Sequence, residues 1–370
     1  MRKHYLDNIR WMTIVAVVLY HVIYMYNGEG VVGPAGKITN MNVQYQDIFQ
    51  YIVYPWLMPI FFIVSGVSSR IYLENHTGKE YFKSRTVKCL VPVTLGLLVF
   101  QFLQGYVNVS LSGALESMAQ QMPGAPEVVV NIVKVIIILA SGIGVLWTLQ
   151  MLWLFSPALL LVKVIDKDRL WKVCKKTPIW VIILLVVPVF GAAQIGNTPI
   201  IVVYRFGYYF FLFLLGYFVF SHDEVIERMK KWFPVFLIPA IGLGVAFCIL
   251  TFGQNYADNP VYRSPLFVAY GYFGCMAILS CMARFGDVSN KFTQWMNKRS
   301  FGLYIFHYLG ISSVGCFLAK PGIISPLAAY VLSTVAGFGG AILLYEIISR
   351  IPVYRWMVMG MSKKKKKKEA

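Results

Sequence analysis

Arg10 and His21 stand eleven residues apart, and residues 11–20 between them carry no charge. On a helix turning 100° per residue, that separation is ~20° past three full turns, so both side chains share one face, ~16 Å apart. An imidazole can take the proton of a hydroxyl as that hydroxyl attacks an acyl carbonyl. A guanidinium can hold phosphate. A cationic edge below a titratable ring therefore suits a ligand that enters phosphate-first. The same pair also admits a plainer reading, in which Arg10 snorkels to a membrane edge and His21 hydrogen-bonds a neighbouring helix.

Arg205 and His307 also fall inside apolar runs, where ionisable groups are expensive and point to function. The run around Arg205 places it about a turn and a half into a helix. The nearest carboxylate by depth is Asp47. The two either pair as a strut that lowers the cost of burial, or act separately, Arg205 on an oxyanion or acceptor and Asp47 in orienting His21. His307 lies ~10 Å into its helix, with Tyr304 on the same face, and it either packs or lines a channel. His4, His76 and His222 fall in polar gaps and are expected to be solvated.

Membrane helices must position these residues. The chain has 370 residues, 58% of them hydrophobic, 16% aromatic and 14% charged, with a mean hydropathy of +0.64. Soluble domains carry roughly 45–50% apolar and about 25% charged residues, so a water-soluble enzyme is excluded. The net charge of +18 invites a nucleic-acid partner, but the charges sit in short gaps between apolar blocks, and none is expected. Ten segments are long enough to span a bilayer: roughly 9–27, 47–72, 86–109, 144–165, 178–194, 199–220, 234–252, 264–284, 300–318 and 325–349. Residues 127–140 are apolar but shorter, interrupted by Asn131 and Lys134, and read as an interfacial or re-entrant helix. Pro55 and Pro59 are expected to kink the second span.

With the N-terminus in the cytoplasm, twenty-nine of the 34 basic residues fall inside and four outside. That asymmetry puts both termini in the cytoplasm. The expected architecture is all-α and polytopic: one ten-helix domain over 1–356, then a cytoplasmic polylysine tail over 357–370 attracted to anionic lipid. The six cysteines show no C-x-x-C spacing, so neither a disulfide framework nor a metal site is expected. No cleavable signal peptide is evident.

The order of motifs resembles the membrane-bound acyltransferase 3 family. Tyr5-Leu6-Asp7-Asn8-Ile9-Arg10, ten residues and His21 resemble that family's Arg-X10-His opening. Phe61-Phe62-Ile63-Val64-Ser65-Gly66 resembles its "FF-x-x-SG" block. Lys83, Arg85, Lys88 and Pro92 resemble its basic loop, with Lys88 where the family has a second arginine. Leu146-Trp147-x-Leu149 resembles its "LWFL" block, and Ser300-Phe301-x-x-Tyr304-x-x-His307 its "S-x-x-x-Y-x-x-H" block. The likeness runs from residue 5 to about 308.

The resemblance implies an O-acyltransferase in which His21 is the catalytic base. Arg10, Arg85 and Lys88 would hold the phosphates of a cytoplasmic acyl-CoA, acetyl-CoA by default, and Trp147, Tyr304 and His307 would line its path. The acceptor would be a hydroxyl of an extracytoplasmic glycan, glycolipid or other envelope lipid. The expected location is a bacterial plasma membrane, with the oligomeric state open, a homo-oligomer included. So little chain follows the last span that the membrane domain is expected to complete the transfer alone. A secondary transporter or flippase for an anionic solute or lipid is the alternative, disfavoured because midplane carboxylates and repeat halves are absent.

Overall fold

The computed structural model describes residues 3–198, 202–318 and 324–361, so the polylysine run lies outside the described residues. Helix α1, His4–Met25, begins a turn earlier than hydropathy suggests. Polar contacts hold that first turn: Lys3 pairs with Asp223 at 2.6 Å, and Asn8 donates to the carbonyls of Gly286 and Val288 at 2.8 Å each. Helix α2, Ile48–Asn75, runs unbroken through Pro55 and Pro59. Carbonyls in that stretch find extra donors, Ile52 from Trp56 (2.7 Å) and Tyr270 (2.5 Å) and Trp56 from Cys275 (3.6 Å). These two carbonyls lie one residue after Tyr51 and Pro55, the two that lose an N–H donor to Pro55 and Pro59.

Secondary structure among the described residues is helical apart from one isolated bridge, Asn197 to Arg205. The remaining long helices are α3, Gly78–Leu111, then α4, Glu127–Asp166, and α5, Ile179–Ala193. These are followed by α6, Phe206–Phe218, α7, Asp223–Lys231, α8, Pro234–Thr251, and α9, Pro265–Phe285. The last three are α10, Lys291–Phe317, α11, Pro326–Arg350, and α12, Pro352–Met359.

Among the described residues eight helices are long and apolar enough to cross a membrane, or nine if α6 and α7, bent by 101°, count as one span. All ten segments read from the sequence are helical, but two fall short. Helix α5 breaks at Leu185, where Pro188 cannot donate to the carbonyl four residues before it. Helix α6 begins only at Phe206. Before it the chain folds back on itself: Thr198 donates to the Tyr204 carbonyl at 3.2 Å and Phe206 to that of Gly196 at 2.9 Å.

The chain packs as two compact units. The first comprises residues 1–81 and 154–300. Its tightest helix crossing is α2 on α6, where the glycine of the "FF-x-x-SG" block does its work. A side chain at Gly66 would run into the Phe213 carbonyl, and one at Gly216 into that of Ile63. Small residues at a crossing let membrane helices approach closely. At the far end of α2, Arg70 is buried. It pairs with Asp168 at 2.6 Å and lies 3.8 Å over the Trp171 ring. His222 stacks on the same indole at 4.3 Å and is buried rather than solvated.

The second unit comprises residues 82–153 and 301–370. Helix α3 carries two π-helical stretches, Thr86–Leu90 and Leu97–Gln101. The apolar stretch read as interfacial is a 17-residue helix, Glu127–Ile143, which runs back along α3 with Gly105 against Ile138 and Gly142 against Gln101. Gly144, at φ 37°, turns it into the continuation of α4. Helix α12 packs against α3, with Gly96 at Met357 and Gly360 over Val87 and Lys88.

Candidate active site

Because α1 is unbroken, Arg10 and His21 do lie on one helix face, as their spacing requires. Arg10 donates to Asp7 at 2.5 Å and to the Ser68 hydroxyl, which itself donates to the Val64 carbonyl at 2.6 Å. The arginine therefore joins the first motif helix to the second, directly after the Ser65-Gly66 block. Its side chain keeps 34% of its exposure, so it is held but not sealed.

His21 lies one turn from the C-terminal end of α1, half-buried among tyrosines. Its ring meets Tyr20 edge-on at 5.2 Å and Tyr24 at 6.3 Å. Tyr20 stacks between Tyr24 and Tyr54, 5.9 Å from each. The Tyr20 and Tyr256 hydroxyls are 3.1 Å apart, and Tyr256 donates to the fully buried Gln50. Gln50 Nε2 has no partner among the described residues.

Arg205 is the non-helical residue before α6, not a residue inside a span. It is 2% exposed. Nη2 donates to the Tyr54 hydroxyl at 2.9 Å and the Ala257 carbonyl at 3.1 Å, and Nε to the Val202 carbonyl at 3.1 Å. The guanidinium lies 4.1 Å over the Tyr262 ring. Neutral dipoles and ring faces surround this cation, and no ion pair forms with it among the described residues. Through Tyr54 and Tyr20 it belongs to the same aromatic assembly as His21.

The expected Arg205–Asp47 pair is not formed. Asp47, fully buried, accepts from the backbone N–H groups of Gly28 (2.8 Å) and Glu29 (3.1 Å), and Gln44 Nε2 donates to both its oxygens. It closes the loop that leaves α1. Asp47→Ala should lower stability by about 3 kcal/mol, because hydrogen bonds to a charged group are worth ~1.5–3 kcal/mol each and the donors stay buried. Thermal unfolding of the solubilised chain checks this. Unchanged stability with lost turnover would return Asp47 to orienting His21.

The other candidates belong to the second unit. Arg85 is half-buried and Lys88 exposed, both at the first π-helical stretch of α3, a feature frequent at functional sites. Trp147 opens the second part of α4, half-buried. Tyr304 is 5% exposed and donates to the Val145 carbonyl, with its oxygen also against the Thr148 hydroxyl. It braces the turn that presents Trp147. His307 is fully buried, with Nδ1 against its own helix's carbonyls at Leu303 (3.0 Å) and Tyr304 (2.9 Å).

Sequence reading missed Tyr20, Tyr54 and Tyr256. Ser68 carried no signal beyond lying three residues after Ser65. All six cysteines are unpaired. Among the described residues no three His, Cys, Asp or Glu side chains are grouped to hold a metal ion.

A family model described as an acyltransferase domain, that of acyltransferase 3, matches residues 3–346, which include every candidate above. The chain is 22% identical over 384 residues to glucans biosynthesis protein C of Salmonella schwarzengrund, covering 97% of this chain and 95% of the relative. It is 22% identical over 394 residues to the protein of that name from Salmonella typhimurium, covering 100% and 97%. The Salmonella typhi protein is likewise 22% identical, over 384 residues. No solved structure matches. The transporter alternative falls away: with its apolar helices and this match along nearly its whole length, the chain belongs to the acyltransferase 3 family and is an integral membrane acyltransferase.

Proposed function

We propose that the protein transfers a short acyl group, acetyl by default, from cytoplasmic acyl-CoA to a glycan hydroxyl on the far side of a bacterial plasma membrane. The observation that carries this reading is His21. It is a half-buried imidazole on the motif helix, set one turn from that helix's end and joined through Tyr20 and Tyr54 to a buried cation. The relatives' name, glucans biosynthesis protein C, favours a glucan as the acceptor.

The acceptor oxygen attacks the thioester carbonyl while His21 takes its proton; collapse of the adduct breaks the C–S bond, and the proton passes to the CoA sulfur. Products are the ester and free CoA. Arg10, Arg85 and Lys88 bind the donor phosphates as cations, Trp147 lines the donor path, and Tyr304 and His307 position that wall. Ten spans with both termini cytoplasmic, α5 and α6 included and residues 127–143 re-entrant, put Arg10 at the donor face and His21 toward the acceptor. Residues 1–356 act as one domain.

Purified protein in detergent should bind acetyl-CoA and release CoA slowly. Arg10→Ala should weaken binding about 10- to 100-fold, the loss of one or two hydrogen bonds to a charged group, whereas Ser68→Ala should bind nearly as wild type. If neither the wild type nor any variant binds acetyl-CoA, the donor assignment fails. Binding by Arg10→Ala equal to wild type leaves Arg10 a strut between α1 and α2.

A further inference from the structure

The first unit carries a groove unrelated to the His21 assembly. It is an apolar cavity of about 600 Å³ between α2, α8 and α9, within the ~300–1,000 Å³ of ordinary ligand pockets. Ile52 and Trp56 form one wall, Ile241 and Val245 the second, and Tyr270 and Gly274 the floor. Missing side chains make the room. A Cβ at Gly244 would lie 2.8 Å from the Tyr270 ring, and one at Gly274 3.1 Å from the Trp56 Cβ. Ile241 is 58% exposed and Val245 54%, so the groove opens sideways along membrane-crossing helices, where the surrounding medium is lipid.

One end of the groove is basic. Arg284 lies six residues beyond Ile278 of the groove lining, ~9 Å further along α9. Its guanidinium sits between the rings of Phe233 (4.9 Å) and Phe285 (5.3 Å) and donates to the Lys230 carbonyl at 3.1 Å. Lys231 is exposed just before α8. Among the described residues neither Arg284 nor Lys231 forms an ion pair. Two cations without an ion pair among the described residues thus stand at the helix ends just beyond Leu237 and Ile278 of the groove.

We infer that the α2–α8–α9 groove is a binding site for one anionic phospholipid, with an acyl chain in the slot and the phosphate on Arg284 and Lys231. Charge complementarity selects the occupant: basic pockets between membrane helices bind anionic headgroups, while the slot accepts any saturated or monounsaturated chain. The inference is independent of the donor and acceptor proposed above.

Native mass spectrometry of the full chain, titrated with phosphatidylglycerol or phosphatidylcholine of identical acyl chains, tests it. One phosphatidylglycerol should be retained, preferred over phosphatidylcholine by about fivefold or more per basic contact, from ~1 kcal/mol each. Arg284→Ala with Lys231→Ala should bring the two lipids to equal retention, and Val245→Trp should remove both. Equal retention by wild type, or full retention by Val245→Trp, would overturn the site. Should the variants not fold, phosphatidylglycerol with brominated acyl chains, diluted into phosphatidylcholine nanodiscs, gives a second readout. It should quench wild-type tryptophan fluorescence beyond its mole fraction, and Trp56→Phe should lose that excess. Quenching that merely follows mole fraction in both proteins overturns the inference.

Discussion

His21→Ala should bind acetyl-CoA as wild type does and release CoA at a rate lowered about 10²- to 10⁴-fold, the usual contribution of a positioned general base. Binding is spared because the proposed phosphate contacts begin at Arg10, ~16 Å along the helix. The fold should also be spared. His21 is half-buried, and removing it leaves the Tyr20–Tyr256–Gln50 hydrogen bonds in place. Stopped turnover at unchanged affinity, read by isothermal titration beside a thiol assay for CoA, places His21 on the chemical step. If His21→Ala instead turns over at the wild-type rate, the base lies elsewhere. Among the described histidines His307 is a poor substitute, because it is fully buried.

The membrane frame was legible because hydropathy and helix length obey the thickness of the bilayer, and the Arg10–His21 face because helix periodicity is fixed. The start of α6 was not. Residues 200–203 are apolar and so look like span, yet Val202 and Val203, the two of them that are described, lie in a turn outside the helix. Arg205 was accordingly placed too deep. For Asp47 the residue types leave two readings open, and the ion pair with Arg205 does not form. Its partners are two backbone N–H groups of a loop and the Gln44 amide, and a backbone donor has no signature in residue identity. Arg70 shows the converse: counted with the basic residues of a cytoplasmic gap, it is buried against Asp168, Trp171 and Tyr217. A gap between apolar blocks says where a residue lies along the membrane normal and nothing about whether protein closes over it.

Variants of Arg205 should separate acceptor handling from chemistry. A buried ion without a counter-ion is costly, by several kcal/mol even after relaxation. Here the cost is met by carbonyls, one hydroxyl and an aromatic face, arrangements that leave the positive charge unneutralised. It is bonded to Tyr54, which stacks on Tyr20, the ring against His21. An oxyanion donor must come within ~2.7–3.1 Å of the reacting oxygen, whereas two tyrosine rings mark the route from Arg205 to His21. Orientation of the acceptor, by Arg205 and through Tyr54, suits that placement better than direct contact with the thioester. Arg205→Met should therefore leave the slow hydrolysis of acetyl-CoA, which uses water as acceptor, within a few-fold of wild type. Transfer to a linear glucan oligosaccharide should lose about 10- to 150-fold in kcat/KM, from ~1.5–3 kcal/mol for a charged hydrogen bond. Methionine fills the volume without the charge but leaves the Val202 and Ala257 carbonyls and the Tyr54 hydroxyl without their donor, so stability should fall by about 1–3 kcal/mol. Arg205→Lys keeps the charge but not the planar fork and should lie between the two. Equal losses of hydrolysis and transfer, with an unfolding midpoint lowered beyond that amount, would make Arg205 a structural residue. Equal losses without that further fall would move it to the oxyanion.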